Sequence, residues 1–418
     1  MEITALGAAR QVGRSAFLLH GNKTNVLLDF GVQMEREPVF PIHVQPKDID
    51  GILLSHAHLD HSGAAPVFYL SEGVDLYTTP PTAEFTKLLI EDFIKVSGFY
   101  LPFEYIDLVN MFKRTHYADL YEVFKIGEFT VQFLDAGHIP GSASMIIEAD
   151  GKRLLYTGDI NGASTMLLNG ADYNFGELDA VITESTYALT DHKPREQVEK
   201  EFVDFAREIV EGGGTLLVPA FSVGRAQEIA CVLRAAKFPY PVAMDGMALK
   251  ANEILIRNQE YLKDPKEFRR TLENAEIMEN WPQRKKMAKT PSVIIAPAGM
   301  LVGGLSVFYN EEIAIRDRNG IAIVAFQIPG TPGRTLLEKV IALIRGKPKK
   351  VKAQVKRFDF SSHSGRKELF EMLKAVKGTP KVLTVHGEEE YCTKFAAEIK
   401  ERFGFDAVAP AAGDVIKV

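Results

Sequence analysis

Short apolar runs bounded by Gly, Asp and Asn punctuate the first 185 residues: 26–31 (VLLDFG), 51–55 (GILLS), 130–137 (TVQFLDAG), 153–159 (RLLYTGD) and 179–185 (DAVITES). Their length and β-branched content predict strands. From about Thr82 to Phe124, apolar residues recur at helical spacing and predict helices. The texture changes after Thr186. A helix beginning near Pro194 and stopping at a Gly pair is followed by the strand TLLVPA, the helix GRAQEIACVLRAA and the strand PVAMDG. A helical run from Ala248 to about Lys289 then leads to the strands SVIIAPAG and IAIVAFQ. Strands alternating with helices predict a parallel α/β sheet. The tail returns to the first texture: KRFDFSSHSG, a helix over 366–377, the strand KVLTVHG and a helix over 388–403. This pattern marks off a first domain over 1–186, a second over 187–345 and a tail over 346–418, which by texture alone is either the first domain resuming after an insertion or a third domain.

Composition narrows the class. Apolar residues are 46% of the 418, enough for more than one core. A net charge of −6 argues against a generally basic nucleic-acid coat protein but leaves a local basic groove open. Two cysteines, Cys231 and Cys392, exclude an all-cysteine metal site and a disulfide framework. They fit a reducing cytoplasm and read as small buried hydrophobes. The first residues lack a charged segment followed by an apolar one, and no apolar stretch approaches membrane-spanning length. The expectation is a cytoplasmic protein with no membrane segment.

The chemistry begins at residues 56–61, HAHLDH, directly after the strand GILLS. Three of the chain's ten histidines fall within six residues there. Imidazole with carboxylate and no thiolate suits Zn, Fe or Mn. His138, Asp159 and His386 each close another predicted strand. His56, His58 and His138 can hold one metal; Asp60, His61 and His386 can hold a second; Asp159 can bridge them. Two such ions polarise a phosphoryl oxygen and supply a hydroxide nucleophile at neutral pH. His20, His43, His116 and His192 have no motif around them and read as ordinary surface or packing residues.

HAHLDH resembles the HxHxDH signature of the metallo-β-lactamase superfamily. Asp29 in LLDFG is similar to that family's first motif, a buried carboxylate orienting the ligand loop, and His138 and Asp159 match its third and fourth motifs. Glu184 in ITESTY, His363 in FDFSSHSG and His386 in TVHGE resemble motifs A, B and C of its β-CASP nucleases. PAFSVGRAQE and GTPGR resemble the β-CASP insertion. The resemblance implies an αββα sandwich with an inserted parallel α/β domain, and two divalent metal ions, zinc being the expected one. The nearest subgroup is the archaeal or bacterial homologues of the cleavage and polyadenylation specificity factor nuclease, with no amino-terminal KH domains expected. One departure stands at Pro297, where the family usually carries Ser.

The implied activity is a zinc-dependent ribonuclease leaving 5′-phosphate and 3′-hydroxyl ends, endonucleolytic, 5′–3′ exonucleolytic or both. His363 is the candidate general acid for the leaving oxygen, Glu184 the carboxylate that orients it, and Asp60 counts as a catalytic residue as well as a ligand. Ser222 and Arg225, with Thr331 and Arg334, sit in Gly-containing loops that could present N–H groups and guanidinium to phosphates. Residues 347–357 hold six basic side chains in eleven. Single-stranded RNA, bound in a cleft beside the inserted domain, is the expected substrate, and a homodimer or an RNA-processing complex the expected assembly. Two alternatives stay open: a DNA-processing nuclease of the same fold, and a non-catalytic scaffold subunit of an RNA-processing complex, which should show eroded ligands; Glu184, His363 and the inserted domain argue against a thioester or lactam hydrolase.

Overall fold

The computed structural model describes residues 1–34, 37–71 and 73–418. The chain forms two compact units: residues 1–164, 170–191 and 362–418 make the first, and residues 165–169 and 192–361 the second.

The first unit is built on two seven-stranded sheets. One has the order Val415–Lys417, Glu2–Ala5, Phe17–His20, Asn25–Leu28, Gly51–Leu53, Leu76–Thr78, Thr115–Tyr117. The other runs Asp406–Val408, Lys381–Val385, Ala180–Glu184, Lys152–Tyr156, Ala143–Ala149, Phe129–Asp135, Val123–Ile126. Period-two alternation sorts their side chains into two faces. Val131, Phe133, Met145, Ile147, Leu154 and Ile182 meet Ile3, Phe17, Leu19 and Leu28 between the sheets. The intervening residues Leu134, Ile146, Leu155 and Val181 face outward, onto Leu369, Leu373, Phe395 and Ile399 of the helices Arg366–Ala375 and Glu389–Phe403. The helices Pro80–Val96 and Tyr105–Lys113 cover the other sheet through Ile90, Phe93, Leu108 and Met111. The result is the αββα sandwich.

The second unit carries a six-stranded, wholly parallel sheet, in the order Glu276–Ile277, Val242–Met244, Ser292–Ala296, Thr215–Pro219, Gly320–Ile323, Gln354–Arg357. The helices Arg195–Glu211 and Arg225–Ala235 bury one face, and Gly304–Ile313 and Pro332–Lys339 the other. Its central strands are buried throughout, as a sheet covered on both faces requires.

Three expectations need correction. Residues 115–117 and 123–126 are edge strands, not the end of a helical stretch; they are short and half-exposed, so no alternation marks them. The helical run from 248 to 289 is interrupted by the strand Glu276–Ile277 between Pro265–Glu273 and Trp281–Met287. The chain re-enters the first unit at Ser362 rather than at residue 346, because Gln354–Arg357 pairs with Gly320–Ile323 in the second unit's sheet. Both cysteines are buried, and burial pushes their thiols up, to about 12 for Cys231 and about 11 for Cys392. Among the described residues, no helix is long and apolar enough to cross a membrane.

Candidate metal centre

Phe129–Asp135, Lys152–Tyr156, Ala180–Glu184 and Lys381–Val385 point the same way within one sheet. His138, Asp159, Glu184 and His386 stand at or just past their carboxyl ends, so one sheet edge collects all four. The loop 56–61, which follows Gly51–Leu53 of the facing sheet, supplies the rest.

Asp29 fixes that loop. It is fully buried and accepts from Ser55 N–H (2.7 Å), Ser55 Oγ (2.7 Å), Tyr156 OH (2.6 Å) and His61 Nδ1 (2.7 Å). Its φ of 56° is a left-handed conformation that Asp tolerates better than most side chains. Gly31 lets the loop come close: a Cβ there would lie 1.7 Å from the Asp60 carbonyl oxygen. With Nδ1 occupied, His61 turns Nε2 to within 3.2 Å of Asp159. A histidine oriented by a buried carboxylate is the usual support of a metal ligand.

Asp159 is the hub. His56 Nε2 (3.5 Å), His138 Nε2 (3.6 Å), His61 Nε2 (3.2 Å) and His386 Nδ1 (3.4 Å) all face its carboxylate. His138 Nε2 also lies 3.1 Å from His58 Nδ1, and His386 Nε2 lies 3.3 Å from Asp60. Two four-residue sets result, His56, His58, His138 with Asp159, and Asp60, His61, His386 with Asp159; in each, one donor atom per residue lies within 4.8 Å of the others. His56 Nε2 is buried without a hydrogen-bond partner, and the Asp159 oxygen facing His61 lacks hydrogen-bond geometry. Buried polar atoms left this way are costly. Divalent cations supply what they lack, so the residues fit a pair of such ions.

The electrostatics of the His56, His58 and His138 set agree, whereas in His61 burial is overcome by Asp159 and Asp29, which raise it well above the ordinary histidine range. Burial, reinforced by repulsion from His61, holds His56 well below the ordinary histidine range; burial brings His58 to about 4; burial and His363 depress His138. Neutral imidazoles are what metals bind. Burial opposes ionisation of Asp60, but the His386 hydrogen bond and the charges of His61 and His386 together outweigh it and keep the carboxyl below its usual range. Asp159 is likewise depressed, its burial overcome by His386 and His61.

Beside the hub, His363 Nδ1 lies 2.9 Å from one Glu184 oxygen and 3.1 Å from the other. Glu184 is buried and accepts from the Ile160 N–H at 2.7 Å. His363 Nε2 points inward, 4.0 Å from Asp159. Burial disfavours the charged ring, yet Glu184 and Asp159 overcome this and raise its pKa to about 9. All nine residues read as metal ligands or as the acid pair thus lie at one edge of the first unit. The reading missed Tyr156, the fourth donor to Asp29; it occupies an ordinary inward position of a strand, and nothing in the sequence marks it.

The remaining candidates lie in the second unit. Thr331 caps the helix Pro332–Lys339, accepting from Arg334 N–H at 3.3 Å, and Arg334 pairs with Glu338 at 2.6 Å. Ser222 and Arg225 are largely buried at the start of the helix Arg225–Ala235. Lys347, Lys349, Lys350 and Lys352 are exposed, whereas the Lys356 ammonium sits over the Phe358 and Phe205 rings at 5.3 and 5.6 Å.

The chain matches three families along its length: the metallo-beta-lactamase superfamily over residues 9–206, the Beta-Casp domain over 226–336, and the Zn-dependent metallo-hydrolase RNA specificity domain over 348–410. It is 36% identical to RNase aCSPSF2 of Saccharolobus solfataricus, over 99% of this chain and 84% of the relative. The chain belongs to the β-CASP metallo-β-lactamase family. Within this family it is also 33% identical to a probable RNase, MJ4, of Methanocaldococcus jannaschii, over the full length of both chains. It is 34% identical to the transcription termination factor FttA of Pyrococcus abyssi, over 100% of this chain and 71% of that one. A crystal structure of an Enterococcus faecalis protein of unknown function superimposes with a TM-score of 0.66 at 15% identity, over 99% of both chains, and so shares the β-CASP metallo-β-lactamase fold.

Proposed function

We propose that this β-CASP metallo-hydrolase is a ribonuclease that cleaves phosphodiester bonds with two divalent ions, zinc in the cell, leaving 5′-phosphate and 3′-hydroxyl ends. The observation carrying the proposal is the juxtaposition of two ligand sets sharing Asp159 with the buried Glu184–His363 pair. His56, His58 and His138 would hold one ion, Asp60, His61 and His386 the other, and Asp159 both. Bound there, the ions would polarise the scissile phosphate and make a water nucleophilic at neutral pH. The chain's own residues supply the rest. Glu184 accepts the Nδ1–H of His363, which fixes the tautomer and leaves Nε2–H directed to the centre. From there Nε2 hands its proton to the leaving 3′-oxygen as the P–O bond breaks. RNA is favoured by the match to the RNA specificity domain and by relatives named as RNases. The exposed lysines at 347–352 suit a phosphate backbone. The intact ligand sets argue against a scaffold.

The test is His363→Ala, assayed on RNA and on a 4-nitrophenyl phosphodiester, whose leaving group needs little protonation. The variant should keep its metals and lose about 10²–10⁴-fold on RNA, the usual worth of a positioned acid, while most of the activity on the activated ester survives. Equal losses on both substrates, or loss of a metal, would make His363 a ligand or a structural residue.

A further inference from the structure

The loop carrying His363 emerges from the second unit, and its last residues there are held by a side chain far away in sequence. Arg195, at the start of the helix Arg195–Glu211, places its guanidinium 4.7 Å over the Phe360 ring and donates from Nη1 to the Ser361 carbonyl at 3.2 Å. The guanidinium is itself anchored: Nη2 donates to Glu228 at 2.6 Å and Nε to Glu199 at 3.3 Å. Glu228 is 4% exposed and also accepts the N–H groups of Leu167 at 2.8 Å and Met166 at 3.2 Å. Three residues upstream, His192 Nδ1 meets Asp359 at 2.7 Å. Residues 165–169, 192–195 and 359–361, the stretches of the second unit next to its junctions with the first, are therefore tied to the largely buried Arg195–Glu228 pair or to the neighbouring His192–Asp359 pair.

The next residues along the chain after Ser361 are Ser362, whose carbonyl accepts from His138 Nδ1 at 2.8 Å, and His363. Downstream, the Ser364 N–H donates to the Ile160 carbonyl at 2.7 Å, and the Ile160 N–H donates to Glu184. The ring of His363 thus hangs on a five-residue span pinned at one end by Arg195 and at the other by Ile160. We propose that Arg195, anchored by Glu228, is a positioning residue that sets where His363 stands against the scissile bond. The proposal rests on the reading of His363 as the acid. Displacements of about 1 Å at a reacting group can cost 10²-fold in rate, so a modest shift of this span is enough to be measured.

The test uses Arg195→Lys in the full chain. Lysine keeps a cation against Glu228 but lacks the planar fork that reaches Glu228, Glu199 and Ser361 together. Expected are both metals retained, KM for RNA within about 3-fold of the parent, and kcat on RNA lower by about 10–100-fold. The 4-nitrophenyl diester should be nearly unaffected, and Arg195→Lys should cost little further in a His363→Ala background. Glu228→Gln, which keeps the acceptor oxygen while removing the charge, should give the same pattern more weakly. Equal losses on the two substrates, or losses that add to those of His363→Ala, would overturn the proposal and leave Arg195 a general stabiliser of the fold. If His363→Ala shows its loss and Arg195→Lys shows none, the positioning role alone falls. If His363→Ala itself spares RNA cleavage, the acid reading falls and takes the positioning role with it.

Discussion

Two buried carboxylates, one in each unit, stand in opposite situations. Asp245 of the second unit, fully buried, accepts from Arg284 Nε and Nη2 at 2.8 and 2.9 Å, from Tyr309 OH at 2.7 Å and from the Gly246 N–H at 2.7 Å. Every demand of that charge is met within the protein. Asp159 of the first unit is as deeply buried, but its neighbours are imidazoles at 3.2–3.6 Å, and one of them, His56, has an Nε2 that finds no hydrogen-bond partner. A buried charge that the chain satisfies is architecture. A buried charge amid ligating atoms it leaves unsatisfied is a place for something the chain does not contain. Burial alone would have ranked the two alike; the partner geometry separates them.

The comparison can be broken by exchanging the damage. Asp245→Ala leaves Arg284 unpaired and should destabilise the fold by about 3–5 kcal/mol, measured by denaturant unfolding, while protein that remains folded keeps its metal content. Asp159→Asn should abolish metal uptake and cleavage, yet cost the metal-free fold less than Asp245→Ala does. Metal loss in folded Asp245→Ala, or an Asp159→Asn chain that still binds two ions, would erase the distinction.

A smaller effect sharpens it through pH. In the metal-free protein, His56, His58 and His138 have folded pKa values below the ordinary 6.5, so the unfolded chain binds more protons. Their contribution is therefore lost as pH falls below about 6.5, that of His58 through its folded value of about 4. His363, raised to about 9, acts in the opposite sense: its contribution is complete below about 6.5 and is lost as pH rises through about 9. The thermal midpoint of the metal-free protein should peak between these limbs; because His61, raised by Asp159 and Asp29, shares the alkaline limb, Glu184→Gln should shrink that limb without removing it and spare the acid one. An alkaline limb unchanged by that substitution would contradict the pairing of Glu184 with His363.

The same contrast explains what could be read from the sequence. The cluster at 56–61 announces itself because its ligands are adjacent, and His138, Asp159 and His386 follow because each closes an apolar run that must be a strand. Those runs gave the strands, and the αββα sandwich came from the motif resemblance. Asp245, Arg284 and Tyr309 carry no such signal, since tertiary packing alone joins them. Nor does Arg195, whose partners at 228 and 361 lie far along the chain. The edge strands at 115–117 and 123–126 escaped because their residues are half-exposed and show no period. Thr331 caps and Arg334 braces their own helix, a duty that the Gly-Thr-Pro-Gly turn would signal in the same way as contact with a phosphate.

The most direct measurement is a titration of metal-free protein with zinc, following bound metal by elemental analysis and RNA cleavage on the same samples. Expected are saturation at two ions per chain and cleavage that appears only as the sites fill, with His386→Ala losing the second ion while largely keeping the first. Full cleavage with no bound metal, or saturation at one ion with no further uptake, would contradict it.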